Sequence, residues 1–341
     1  MIVLAGDIGG TKTNLGLFEV NQQQVQSLFE LSFVSNQYHS LAEIVDMFLQ
    51  NPELSHQLKL SSTPACFGVA GPVSNHYCEV TNLPWVIDAH QLQKQFGFQS
   101  VNLLNDLEAN AWGISCLDES DFIVLNAGNT AKDNASAVNK GNASIIAAGT
   151  GLGEAGLFWT GQTHIPFASE GGHTDFSPAT EEEYRFFQFL SKKYNGHVSW
   201  ERVVSGMGLE NLYQFLCYEE GRQTPDWLAQ AMQKDAAAAI SVAALAGKDQ
   251  LCIRALDWFV HFYGVEAGNH ALKIMSKGGV YLGGGIAPKI INALQSGRFM
   301  HAFCDKGRMQ HLLNAMPVKV IMNDKTALYG PALYADSKHG K

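Results

Sequence analysis

The sequence predicts a mixed α/β protein. Three features lead there. The chain opens on strand patterns, at 2–7, 14–20 and 27–34. Later strands alternate with helical segments long enough to cross over a sheet. A strand–turn–strand near the start, Gly9–Phe18, is echoed without gaps by Gly149–Phe158, as a duplicated domain would leave it.

The elements follow in order. "IVLAGD" is an apolar strand, and the glycines after it make a tight turn. Residues 14–20, "NLGLFEV", carry no apolar stripe at helical spacing and read as a second strand. The motif Gly6-Asp7-Ile8-Gly9-Gly10-Thr11-Lys12-Thr13 is therefore not a P-loop. The glycine that pattern needs at 11 is Thr11, and no helix follows. Such a turn can still present backbone N–H groups to a phosphate.

Ser40-Leu41-Ala42-Glu43 is a capping box and starts a helix near 41–50. Residues 64–70 form a short apolar strand before a Gly-Pro turn. Asp88 caps a helix through about Phe96, 101–104 is a strand, and Asn105-Asp106 opens another helix. The small, polar segment 126–142 reads as a surface loop or hairpin tip. "ASIIAAGTGLGEAGLFW" is the second strand–turn–strand. Thr180 and Glu183 form a capping box for a helix to about Tyr194, with further helices near 207–220, 225–246 and 249–276. A strand at 279–283 runs into Gly283-Gly284-Gly285, and a helix follows Pro288. Residues 318–322 are a last strand and 325–337 a last helix.

Composition narrows the function. A chain that is 46% hydrophobic and 16% charged can bury a core and is not of disordered type. A net charge of -9 without a Lys/Arg run argues against a nucleic-acid surface. The six cysteines, at 66, 78, 116, 217, 252 and 304, have neither zinc nor disulfide spacing, as in a reducing cytoplasm. Neither a signal peptide nor a membrane-spanning helix is expected.

Three Gly-rich turns, at 9–10, 149–153 and 283–285, each end an apolar strand. Together they suggest a nucleotide held between two domains. Asp7 ends the first strand, where it can hold Mg²⁺ beside phosphates or bond to its own turn. Asn105 and Asp106 can cap a helix, or Asp106 can serve as a general base at a strand's C-terminal end. In "EGGHTD", two glycines let Glu170 and His173 converge on vicinal hydroxyls, although His173 also suits a structural hydrogen bond. Glu201 can be a ligand or a solvated carboxylate at a helix end.

Seven segments, in family order, resemble the bacterial glucokinases of the sugar kinase–actin–Hsp70 superfamily. They are "GDIGGTKTNLGL", "TNLPW", "LLNDLEA", "AAGTGLGEAG", "SEGGHTDFSP", "GHVSWERVVSG" and "GGVYLGGGIAP". The resemblance implies a two-domain, actin-like (ribonuclease H-like) α/β fold with an interdomain cleft. Residues 1–116 and 323–341 would form the small domain and 117–322 the large one. It implies ATP-dependent phosphorylation of glucose, with ATP and Mg²⁺, in a cytoplasmic enzyme that is a homodimer and binds neither nucleic acid nor membrane. Asp106 matches the catalytic base. Asn105, Glu170, His173 and Glu201 match sugar ligands, with Asn82 in the same pocket. Gly6, Gly9, Gly10, Thr11, Lys12, Gly149, Thr150, Gly151 and Gly284 match nucleotide contacts, and Asp7 the position near the metal. The chain lacks the Cys-rich zinc motif of the repressor/open-reading-frame/kinase branch and, starting at its phosphate hairpin, is expected to carry no helix-turn-helix. A kinase for mannose, fructose or an N-acetylated amino sugar is the nearest alternative. A non-catalytic sugar sensor is the more distant one.

Overall fold

A computed structural model describes residues 1–22, 24–54, 59–131 and 140–339. They form two compact units, Met1–Asp121 with Asn323–Lys341, and Phe122–Met322.

The first unit is built on five strands, β1 (Ile2–Ile8), β2 (Lys12–Asn21), β3 (Gln24–Val34), β4 (Ala65–Val69) and β8 (Val101–Asn105). Their order in the sheet is β3-β2-β1-β4-β8. β1, β2 and β3 run antiparallel, whereas β4 and β8 run parallel to β1. β1 and β4 are buried on both faces, which is why they read as unbroken apolar runs. One face packs on the helices Leu41–Leu49 and Ala89–Phe96, the other on Thr326–His339. A small sheet of β5 (Val73–Ser74), β6 (Tyr77–Glu79) and β7 (Val86–Asp88) follows β4. Its strands of two or three residues are too short for sequence periodicity to reveal.

The second unit holds β9 (Phe122–Asn126), β10 (Ala143–Ala148), β11 (Leu152–Trp159), β12 (His164–Ser169), β13 (Gly279–Gly283) and β14 (Val318–Ile321). Their order is β12-β11-β10-β13-β14-β9. β10, β11 and β12 are antiparallel, and β13 and β14 run parallel to β10. The five-strand pattern of the first unit is thus repeated, with β9 added antiparallel at the edge. The helices Gly206–Glu220 and Gln250–Ile274 cover one face with a core rich in aromatic rings. Among the described residues no single helix is long and apolar enough to cross a membrane.

The ungapped echo slips by one residue. Four residues, Gly9 to Lys12, separate the paired Ile8 and Thr13. Three, Gly149 to Gly151, separate Ala148 and Leu152. The expected helix over 225–246 is two, Asp226–Met232 and Ala236–Leu245, because Asp235 accepts from Ala238 N at 2.9 Å and caps a new start. The expected loop 126–142 contains a short 3₁₀ turn, Gly128–Ala131, and its residues 132–139 lie outside the described ones.

Candidate active site

In the first unit the candidate residues gather at one end of the sheet. Asp7 is the last residue but one of β1, opposite Asn14 on β2. Asn14 Nδ2 donates to Asp7 Oδ2 at 3.3 Å, and Ser32 Oγ donates to Asn14 Oδ1 at 2.8 Å. Burial raises the Asp7 carboxyl above its ordinary value, and the Asn14 bond pulls it partly back.

The turn after β1 is held from below. Gly9 N donates to Lys12 O at 2.9 Å. The fully buried Ser35 donates from Oγ to Gly9 O at 2.8 Å, shares a bond with Thr13 Oγ1 at 3.0 Å, and donates from its N–H to Thr11 O at 3.0 Å. Thr11 and Lys12 are left exposed. Gly6 lies inside the sheet: a Cβ there would come within 2.6 Å of Phe67 and 2.7 Å of Leu15. Its place therefore suits packing of β1 more than reach to a ligand. Gly10 sits against Asn82, whose Cβ would be 3.3 Å from a Cβ at Gly10. Asn82 holds a left-handed backbone (φ 65°), which Asn tolerates better than most residues.

Asn105 ends β8, and Asp106 starts the helix Asp106–Gly113. Asn105 is the cap. Its Oδ1 accepts from Leu107 N at 3.0 Å and Glu108 N at 3.4 Å, and its Nδ2 donates to Gly71 O at 3.2 Å. Asp106 Oδ1 also accepts from Leu107 N, at 2.9 Å.

The other candidates belong to the second unit. Gly149, Thr150 and Gly151 form the β10–β11 turn, closed by Gly149 N donating to Gly151 O at 2.9 Å. Gly206 N, at the start of a helix, donates to Gly149 O at 2.8 Å. A Cβ on Gly149 or Gly285 would meet no atom within 4 Å, so a ligand can approach either backbone closely. Gly284 is different: at φ 80° its Cβ would collide with Ala148 O, so glycine is needed for backbone packing. Glu201 Oε2 accepts from Leu152 N at 3.1 Å and fills the space a Gly151 side chain would take. Glu201 is thereby bound to the β10–β11 turn.

Glu170 and His173 flank a short 3₁₀ turn, Gly171–His173, with Nε2 and Oε2 3.9 Å apart and side chains 60% and 64% exposed for His173 and Glu170. The two glycines between them are required by the floor beneath. A Cβ at Gly171 would collide with Glu154 Oε2, and one at Gly172 with Leu152 O. An isolated bridge between Asp175 and Ser199 then brings the "EGGHTD" and "SWER" segments together, reinforced by Trp200 N donating to Thr174 O at 3.0 Å. The sequence reading missed His197, whose Nε2 is 3.0 Å from Asp175 Oδ1, and the buried Glu154.

The groups fit a nucleotide with magnesium better than a structural metal. Open glycine turns suit phosphates, and Mg²⁺ characteristically takes one or two carboxylates plus phosphate oxygens and water. Asp7 is a carboxylate at a strand end, and among the described residues no three His, Cys, Asp or Glu side chains gather as a metal site.

The topology is repeated, with a Gly-rich turn on each copy and an Asn-Asp pair at a strand end of the first. Comparison with known proteins assigns the family. Residues 4–338 match the family model described as Glucokinase. A glucokinase from Synechocystis is 40% identical over 97% of each chain. The crystal structure of a glucokinase from an Antarctic psychrotroph superposes with a TM-score of 0.82 at 28% identity, over 98% of this chain and 99% of that one. A glucokinase from Streptomyces griseus of the repressor/open-reading-frame/kinase family, solved with glucose and AMPPNP, shares the fold at TM-score 0.62 and 17% identity, over 99% and 100% of the two chains. The chain belongs to the glucokinase family and is an enzyme of the sugar kinase class.

Proposed function

We propose that the chain transfers the γ-phosphoryl group of ATP to the 6-hydroxyl of glucose, with Asp106 as general base. The observation that carries this is the division of labour at the end of β8. Asn105 caps the helix and ties it to Gly71, so the cap does not depend on a carboxylate at 106. A carboxylate at a strand's C-terminal end is placed as ligand chemistry requires in α/β sheets. There Asp106 accepts the hydroxyl proton as the phosphoryl group transfers. Such transfer depends on positioning and charge neutralisation more than on covalent chemistry.

In this reading Asn82, Asn105, Glu170, His173 and Glu201 bind sugar hydroxyls. Gly9, Gly10, Thr11 and Lys12, with Gly6 supporting their strand, and Gly149, Thr150, Gly151 and Gly284 serve the nucleotide. Asp7 holds Mg²⁺, directly or through water, and the ion neutralises phosphate charge. Residues 1–116 with 323–341 and 117–322 act as the two functional domains. The working form is a cytoplasmic homodimer.

A coupled ADP-release assay over glucose, mannose, fructose, N-acetylglucosamine and N-acetylmannosamine tests the substrate. Glucose is expected to give the highest kcat/KM. A higher value for either N-acetylated sugar refutes the assignment, because an acetyl group must fit against Glu170, His173 or Glu201. Glu201→Ala is expected to weaken glucose use by about 1–3 kcal/mol, the cost of an unpaired buried hydroxyl.

A further inference from the structure

Beneath the Glu170–His173 turn lies a cluster that the proposed reaction does not use. Glu154 on β11 is 1% exposed, and Glu266 and His270, both on the helix Gln250–Ile274, are 0% and 2% exposed. His270 Nε2 lies 3.1 Å from Ala155 O and, facing a carbonyl, must donate. In a neutral ring Nδ1 is then a lone pair, yet it stands 3.2 Å from Glu154 Oε2. Two acceptors cannot bond, so this pair holds a proton of its own. Glu154 Oε1 and Glu266 Oε1 are both buried without a donor, and the two carboxyls interact with each other. Protonation of Glu154 removes one of these two facing charges. The remaining charge on Glu266 is met by Asn269 Nδ2 at 2.9 Å and Lys273 Nζ at 3.8 Å.

This cluster bears directly on the turn. Glu154 pairs with Ser169, the residue before Glu170, and its Oε2 occupies the space against Gly171. Leu152, two residues earlier, supports Gly172 through its carbonyl and donates its N–H to Glu201. We propose that Glu154 is a positioning residue for sugar binding: the proton it holds with His270 and Glu266 keeps the floor under Gly171 free of facing charges, and its loss displaces Glu170 and His173. The inference rests on the reading that those two residues bind the sugar.

The electrostatics point the same way. Burial, then the Glu266 charge, push the Glu154 carboxyl up to about 8. Burial also raises Glu266 and lowers His270. The other groups facing the cluster are Tyr263 and Lys273 on the same helix, and Lys306, which faces Glu266 from beyond the helix Arg298–Cys304. Glu170 and His173 stand above it. The proton is thus held at neutral pH and lost in mild alkali.

The test is the pH dependence of glucose KM, with kcat and ATP KM measured alongside. In the wild-type enzyme glucose KM is expected to rise about tenfold between about pH 7 and about pH 9, with kcat changing less than about twofold. Glu154→Gln stays neutral and can donate to Nδ1, so its glucose KM is expected near the wild-type neutral value, with the alkaline rise gone. Glu154→Ala is expected to raise glucose KM about tenfold across the range. Glu266→Gln removes the neighbouring charge and is expected to move the midpoint of the rise to lower pH. A Glu154→Gln enzyme that keeps the wild-type rise, a Glu154→Ala enzyme with wild-type KM, or an unmoved midpoint in Glu266→Gln overturns the inference. Glu170→Ala separates the two claims. An unchanged glucose KM there removes the sugar-site reading. A raised KM there without effects at Glu154 or Glu266 removes this inference alone.

Discussion

The two units repeat one strand plan, and their differences are more informative than their likeness. Aligned by strand pairing, Asp7 of β1 corresponds to Ala147 of β10, and both lie opposite a glycine on the next parallel strand, Gly68 and Gly283. Leu15 of β2 corresponds to Glu154 of β11, opposite Gly6 and Ile146. β8 ends in Asn105, where β14 ends in Ile321. The first unit therefore has acid chemistry at its strand ends and an apolar residue within β2. The second has apolar strand ends, an open glycine turn and a buried carboxyl on β11. A duplicated scaffold needs the same core in both copies, so departures from it mark positions that packing alone does not require. The proposed base and metal carboxylate, Asp106 and Asp7, both lie in the first unit, whereas proposed nucleotide and sugar contacts are spread over both.

The largest effect expected of a single change is at Asp106. Asn105 does the capping, and Asn at 106 can still accept from Leu107 N as Oδ1 now does. Asp106→Asn should therefore melt near wild type and bind glucose in calorimetry. It should turn over at least about 100-fold more slowly, since loss of a general base costs about 10²–10⁴ in rate. A folded variant with near-normal kcat would break the comparison at its main point and return Asp106 to a helix-end role.

The glycine turns give the next contrast. Gly284→Ala places a Cβ against Ala148 O in a left-handed backbone, and a loss of about 1–3 kcal/mol is expected from that strain. Gly149→Ala meets nothing within 4 Å, so its melting temperature should stay close to wild type. Its ATP KM should nevertheless rise, because in the proposed reading the methyl group would stand where phosphate approaches the backbone. If both variants lose only stability, the β10–β11 turn is a structural hairpin and no phosphate site.

What the sequence made legible follows from the range of the signals. The cap at Ser40, the capping box at Thr180, the cap at Asn105 and the Gly-rich turns are local patterns, and each stands where it was expected, except that Glu43 reaches back to His39 N instead of closing a box on Ser40 N. The reason for Gly171 and Gly172 was not legible. The sequence suggests flexibility between Glu170 and His173, whereas the constraint is a floor supplied by β11. Glu154 was hidden for the same reason. In "GLGEAGLFW" it alternates like the outward residue of a half-exposed strand, and only the packing of a distant helix buries it. β12 was missed because Pro166 and a mostly exposed pattern do not read as a strand, although an edge strand accepts both.

Asp7 and Ser35 give smaller effects, both within the first unit. Burial raises the folded-state value of Asp7, so its stabilising share is complete below the unfolded value of 3.8 and is lost as pH rises through the folded value. At neutral pH the ionised carboxylate therefore costs stability in the ligand-free protein. Asp7→Asn should raise the melting temperature slightly at neutral pH and flatten its fall between mild acid and neutrality, while activity drops and the Mg²⁺ requirement rises. A lowered melting temperature would show that the carboxylate stabilises the turn, as an Asp bonded to its own hairpin does.

Ser35→Ala is expected to have the smallest effect on activity. It removes the Oγ bonds to Gly9 O and Thr13 and leaves the N–H bond to Thr11 O in place. A buried hydroxyl network of this kind contributes about 1 kcal/mol per bond, with a further cost where a partner is left unpaired. The expected loss is about 1–3 kcal/mol of stability, with a modest rise in ATP KM and glucose KM unchanged. In the second unit Gly206 N supports Gly149 O from a helix start. A Ser35→Ala enzyme with altered glucose KM but unaltered ATP KM would mean that the first turn serves the sugar, and the assignment of both hairpins to the nucleotide would fall.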